Sequence, residues 1–277
     1  MLPCLTPEGK IIMESPSKVA MAPDGNGGIY PSLHKSGMLD NMKQRGVNYI
    51  HVFSIDNALL KPADPVFVGY CLSQKADVGN KVLWKANALE KVGIVVEKDG
   101  KPCIVEYSDM DPSMMEQIDE NGRLVFGAGN ICNHFYTLDF IVDQVVPNMK
   151  NMYHVAHKKI PYYDEETKET VKPTENNGIK LETFIFDVFP FSSNMAVLDV
   201  CREEEFAPVK NAPGSSSDSP DTARAMISAL SKRWVKDAGG ILTNDDGECE
   251  VSPLVSYAGE GLEELVKGKE IECPFSL

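Results

Sequence analysis

Six polar or charged side chains lie in segments whose composition gives them chemical work to do. Asp56 closes the apolar, strand-like run HVFSID. In an open α/β sheet the carboxyl ends of strands line the ligand crevice. A carboxylate there can take a hard cation in the company of phosphates; equally, it can serve as a turn or capping aspartate. The segment PDGNGG (23–28) places Gly25, Gly27 and Gly28 around Asn26. Glycines without Cβ atoms let backbone amides approach a base or a phosphate edge, and Asn26 both donates and accepts. A plain surface turn has the same composition. Glu106 in VEYSD and Asn130 in FGAGNICNHF are polar groups among apolar neighbours, suited to reading sugar hydroxyls or to satisfying core backbone. Lys180 and Lys210 supply positive charge, Lys210 following the acidic run Glu203-Glu204-Glu205 by a few residues. Read alone, Lys210 is a solvated surface charge.

Other chemistries lack their motifs. No nucleophile elbow, H-E-x-x-H or glycine-rich phosphate fingerprint surrounds these residues. His134, between Asn133 and Phe135, reads as a hydrogen-bonded structural histidine. The seven cysteines are an odd number, scattered and without a C-x-x-C pair, which fits reduced thiols in a cytoplasmic protein. A net charge of −14 argues against nucleic acid or an anionic membrane surface as the main partner. The opening MLPCLTPEGK has no secretory pattern, and no apolar run reaches the ~20 residues of a membrane helix.

The elements that must position these groups alternate in type. Asp64-Pro65 offers an N-cap and a first-turn proline for VFVGYCLSQKAD, with Val68, Cys71 and Leu72 as its apolar face. Ser219-Pro220 does the same for DTARAMISALSKRWVKDAGG, with a stripe of Met226, Ala229, Leu230 and Trp234. YIHVFSIDNALL reads as a strand, and KVGIVVEKDGKPCIVEYSD as a hairpin turning at Asp99-Gly100. Leu181, Phe184, Ile185 and Val188 fall at helical spacing. Strands interspersed with helices predict an α/β sheet covered on both faces. NAPGSSSDSP (211–220) predicts a flexible loop, dividing residues 1–210 from a C-terminal helix and small β-containing region at 221–277.

The blocks MAPDGNGGIY, HVFSIDN, VVEKDGKPCIVEYSD, GRLVFGAGNICNHF, KKIPY, NGIKLETFIFD, REEEFAPVKNA and EVSPLVSYAGEGLE occur in one order across nearly the whole chain. In that order they resemble the eukaryotic UDP-N-acetylhexosamine pyrophosphorylases, also called UDP-N-acetylglucosamine diphosphorylases. The resemblance implies a nucleotide-diphospho-sugar transferase fold, a Rossmann-like mixed sheet, here lacking the N-terminal part with the glycine-rich UTP loop. It implies the reaction of UTP with N-acetylglucosamine 1-phosphate to give UDP-N-acetylglucosamine and pyrophosphate, with Mg²⁺ or Mn²⁺. By matching motif, Gly25 would contact uridine and Asn26 the sugar, with Asp56 at nucleotide and metal. Glu106, Tyr107 and Asn130 would bind substrate, and Phe184 and Phe186 would wall the N-acetyl pocket. Lys180 would contact the nucleotide and Lys210 the phosphates, both as catalytic residues. The missing loop makes a UDP-sugar-binding or regulatory fragment the alternative expectation. An uncovered sheet edge would then call for a partner or self-association.

Overall fold

The strand Val78–Trp84 is buried over almost its whole length. Its sequence VGNKVLW is mostly apolar, as expected for a strand covered from two sides, with Asn80 and Lys81 as buried polar exceptions, one on each face. In the computed structural model, which describes residues 1–149, 152–244 and 246–277, it belongs to a six-stranded sheet. The strand order is Met195–Asp199, Val78–Trp84, Ala128–Thr137, Ile94–Lys98 and Lys101–Val105, with Tyr49–Phe53 also paired to Ala128–Thr137. Ile94 faces Gly129 in an antiparallel register. The α/β architecture is the one expected. The hairpin also stands where Asp99-Gly100 placed it: both residues have positive φ, 53° and 73°, as a two-residue primed turn requires.

The chain divides into two compact units. The first comprises Met1–Ile50, Val96–Ile104 and Tyr136–Met195; the second comprises His51–Val95, Val105–Phe135 and Ala196–Leu277. This division differs from a boundary at 211–220, because both sides of that segment lie in the second unit. The segment is also tied down rather than a flexible linker. The amides of Lys210 and Asn211 both donate to the Asp218 carbonyl, Gly214 donates to the Asp221 carboxylate, and Ser219 Oγ donates to the Ser215 carbonyl. Composition alone missed these bonds because serine and asparagine satisfy a compact turn as readily as they solvate a loose one.

Within the second unit, helix Pro65–Ser73 begins where Asp64 accepts from the Val66 amide. Phe67 and Cys71 pack with Ala76, Phe135 and Ala196. Helix Pro220–Asp237 starts with a capping box between Ser219 and Thr222 and stops before Gly239, whose φ is +85°. Its buried face is Ala223, Ser228, Leu230, Ser231 and Val235, so Ala229 points outward, against the expected stripe. The shift comes from Ser228 and Ser231, which turn inward because their hydroxyls accept the amides of Cys249 and Val251.

The first unit has its own core of Cys4, Ile12, Ala20, Ala22 and Ile160. Strand Gly178–Glu182 runs antiparallel to His154–Lys158, with Lys180 opposite Ala156. This corrects the helical reading of residues 181–188. Leu181 lies in that strand, and after irregular residues 183 and 184 a turn at 185–188 leads into a short 3₁₀ segment, Phe189–Phe191. The amides of Thr183, Phe184 and Ile185 go to the Asp24 carbonyl, the Asp187 carboxylate and the Asn26 side chain, which removes them from any helical ladder. No helix among the described residues is long and apolar enough to cross a membrane.

Candidate functional site

In the second unit, the residues after Asp56 lie antiparallel to the residues before Lys210. Val209 N donates to the Asp56 carbonyl at 2.9 Å, Ala58 N donates to the Ala207 carbonyl at 3.0 Å, and Asn57 bridges Pro208. Asp56 therefore sits three residues beyond the strand Tyr49–Phe53, in a turn, with Ser54 Oγ donating to its Oδ1 at 2.6 Å. The Ser54 amide in turn donates to the Cys132 carbonyl at 3.0 Å. The Cys132 thiol is pushed up to about 11, chiefly by burial and further by Asp56, while Lys210 acts to lower it. Both charged groups thus reach the same sulfur with opposite sign. Lys210 is exposed, and its backbone amide is pinned to the Asp218 carbonyl.

Asn57 fastens the two segments. Its Nδ2 donates to the Glu205 carbonyl at 2.7 Å, and its Oδ1 accepts from the amides of Ala207 and Leu59 at 2.9 and 3.2 Å. Below it, Lys81 is fully buried and donates to Asp64 Oδ2 at 2.5 Å and to Glu205 Oε2. Burial pushes the Asp64 carboxyl up, but the hydrogen bond and charge of Lys81 outweigh it and hold the group below its ordinary value. Lys61 adds a second cation, 3.5 Å from Glu205 Oε1. Neither Asn57, Lys81 nor Glu205 stood out in the sequence as part of a site. The available signal was a lysine inside the apolar run VGNKVLW, where an unpaired charge is not tolerated.

Asn130 lies in the strand Ala128–Thr137. Its Oδ1 accepts from Asn80 Nδ2 at 3.3 Å and from the Cys132 amide at 3.1 Å, which sets the amide and gives Nδ2 the donor role. Asn80 Oδ1 also meets His134 Nδ1 at 2.6 Å. His134 is fully buried, and burial, with a smaller contribution from His51, pushes it down to about 3. Buried and hydrogen-bonded to Asn80, it fits the hydrogen-bonded structural histidine that the sequence suggested. Glu106 and Tyr107 follow the strand Lys101–Val105. Glu106 is half-buried, with its carbonyl accepting from the Asp109 amide, and Tyr107 is exposed.

In the first unit, Gly25 has φ +83°, and a Cβ there would collide with the carbonyl of Thr183. Gly27 N donates to that same carbonyl at 2.9 Å. The freedom of these glycines is thus consumed by the protein's own backbone. Asn26 Oδ1 accepts from the Ile185 amide at 2.8 Å, so its carbonyl side is structural and its Nδ2 is the remaining polar group. Phe184 and Phe186 stack with centroids 5.2 Å apart. His154 covers Phe184 at 4.7 Å and meets Asp187 Oδ1 at 2.7 Å. Lys180 is half-buried and close enough to Cys4 to lower its thiol, which burial raises on balance. The fold thus groups Asp56, Asn130 and Lys210 in one unit, and Gly25, Asn26, Lys180, Phe184 and Phe186 in the other.

No group of three His, Cys, Asp or Glu that could hold a metal occurs among the described residues. A single carboxylate such as Asp56 suits a cation that keeps waters and shares itself with substrate phosphates, which is how Mg²⁺ is commonly bound; the described residues form no all-protein cage.

The family model described as UTP--glucose-1-phosphate uridylyltransferase matches residues 1–266. UDP-N-acetylhexosamine pyrophosphorylase-like protein 1 of Mus musculus is 48% identical over 297 residues, covering 100% of this chain and 58% of its own length. A crystal structure named for a UDP-N-acetylglucosamine pyrophosphorylase of Entamoeba histolytica superposes with a TM-score of 0.87 at 33% identity, covering 100% of this chain and 68% of that one. The UDP-N-acetylglucosamine pyrophosphorylase of Trypanosoma brucei, solved with an inhibitor, gives 0.82 at 32%, covering 95% and 56%. The chain spans 58% of the length of the mouse relative.

Proposed function

The chain belongs to the UTP--glucose-1-phosphate uridylyltransferase family, and on that premise we propose that it carries sugar- and phosphate-binding machinery of a UDP-N-acetylglucosamine diphosphorylase. A phosphate oxygen of N-acetylglucosamine 1-phosphate attacks the α-phosphorus of UTP in line. The bond to the β-phosphate oxygen breaks, and pyrophosphate leaves. No protein nucleophile is needed, so positioning and charge neutralisation are the catalytic means.

The observation that carries this reading is the backbone pairing that holds Asp56 against the segment of Lys210. A carboxylate and an exposed lysine on one rigid ladder suit a polyphosphate: the lysine neutralises oxygens as charge moves onto the leaving group. Asp56, together with substrate phosphates, would hold Mg²⁺ or Mn²⁺, which supplies further neutralisation of phosphate charge. Lys180 serves the nucleotide phosphates. Gly25 shapes the uridine-contacting loop, and Asn26, Glu106, Tyr107 and Asn130 offer polar contacts to uridine and sugar. Phe184 and Phe186 present an aromatic wall to the N-acetyl group. The lack of a cysteine-pair motif in sequence and the use of soluble nucleotides fit a cytoplasmic protein.

The test is calorimetric titration with UDP-N-acetylglucosamine, with and without Mg²⁺, alongside pyrophosphate-dependent formation of UTP from it. Saturable binding with pyrophosphate exchange is expected. A folded chain that does neither overturns the reading. Binding without exchange instead identifies a UDP-sugar-binding or regulatory protein. The same titration with UDP-N-acetylgalactosamine decides the preferred sugar.

A further inference from the structure

Cys249 and Cys273 hold their sulfur atoms 3.0 Å apart, and both residues are almost wholly buried, at 3% and 5% exposure. Their surroundings hold them in register. Strand Cys249–Glu250 runs parallel to Phe275–Ser276, with Cys249 opposite Phe275. Leu277 N donates to the Glu250 carbonyl and Ser252 N to the Leu277 carbonyl, closing the pairing beyond the cysteines. Helix Pro220–Asp237 fixes the first strand through Ser228 Oγ, which accepts from the Cys249 amide at 2.8 Å. Neither thiol takes part in the chemistry proposed above. Cys249 also lines an open groove of about 500 Å³ with Arg224, Ser228, Glu248 and Pro274, wide enough for a small oxidant to arrive from solvent.

We propose that Cys249 and Cys273 form a covalent modification site, a dithiol that a hydroperoxide closes into an intrachain disulfide. The sulfur of Cys249, as thiolate, attacks one oxygen of hydrogen peroxide. The O–O bond breaks, hydroxide leaves, and Cys249 becomes a sulfenic acid. The sulfur of Cys273 then attacks that of Cys249, the S–O bond breaks, and water leaves. In sum two thiols lose two protons and two electrons, and the peroxide becomes two waters. The sulfur atoms need only approach from 3.0 Å to the covalent length of about 2.05 Å. Proximity favours the second step over further oxidation, because the resolving thiol is in place when the sulfenic acid forms. The bond would join residues 24 apart in sequence and staple the strand Phe275–Ser276 to its neighbour.

The protein is treated with hydrogen peroxide under native conditions, alkylated after denaturation, and measured by intact mass and peptide mapping. The expected result is the loss of two hydrogen atoms at this pair, a linked peptide joining Cys249 to Cys273, and a Tm raised by several degrees. In Cys273→Ser the link is absent and a dimedone adduct appears on Cys249. Oxidation confined to the exposed Cys201, separate alkylation of Cys249 and Cys273, or a link from either to another cysteine overturns the proposal. The wild-type mapping decides the matter even where the variant folds poorly.

Discussion

Val209 donates its backbone N–H to the carbonyl of Asp56 across 2.9 Å, although the two lie far apart in the chain. That bond, with the three made by the Asn57 side chain, places an exposed lysine one residue away from a segment anchored to a carboxylate turn. The carboxylate and the lysine are held on rigid backbone, as electrostatic preorganisation requires.

Replacing Lys210 by alanine removes the charge and leaves the ladder, since Val209 and the Lys210 amide keep their bonds. The expected loss is roughly 10²–10³ in the rate of pyrophosphate exchange, or ~2–4 kcal/mol of transition-state stabilisation. Thermal melting should be unchanged. An exchange rate near wild type would remove Lys210 from the catalytic machinery.

Lys81 neutralises Asp64 and Glu205 in a fully buried setting. Lys81→Met keeps the volume, strands Asp64 and leaves Glu205 with Lys61 as its cation, which should cost about 3–5 kcal/mol in urea unfolding. Combining it with Asp64→Asn and Glu205→Gln should return part of that stability, because the uncompensated charge is then gone. A triple variant no more stable than the single one would show that the cost lies elsewhere.

Gly25→Ala meets two obstacles, a φ of +83° and the Thr183 carbonyl. Backbone strain of order 1–3 kcal/mol plus displacement of the 183–185 segment is expected. Gly37, also at positive φ but in open space, is the control: alanine there should cost less. Equal unfolding midpoints for the two variants would argue against the Thr183 contact.

Stability should fall with acid in a defined window. His134 is held neutral down to about 3, and His51 is likewise lowered by burial. The unfolded chain protonates its histidines near 6.5, so below that pH the unfolded state binds the extra protons. Stability from His134 is therefore complete above about 6.5 and declines by roughly 1.4 kcal/mol per pH unit toward 3. Urea midpoints from pH 7 to 4 check this; His134→Gln should show a shallower decline, from a lower starting stability. Parallel slopes would refute it.

The sequence by itself determined the parts that depend on a few neighbouring residues. Asp64 and Ser219 cap their helices, and Asp99-Gly100 turns the hairpin, because each bond closes within two or three positions. Ordered blocks along the chain also pointed to the family that the comparisons show. Only the tertiary structure decided which groups share a site. Glu205 is the last of three consecutive acids in the sequence, with nothing local to single it out, yet it turns inward to a lysine 124 residues away. Phe184 and Ile185 read as a helix, yet their amides are claimed by Asp187 and Asn26. The glycines of PDGNGG read equally as room for a ligand or as a plain turn, and the fold shows that Gly25 is required first by Thr183. Local hydrogen bonds follow from residue type at short range. A buried charge or a close backbone approach depends on which distant strand the chain passes, and strand order is a property of the whole fold.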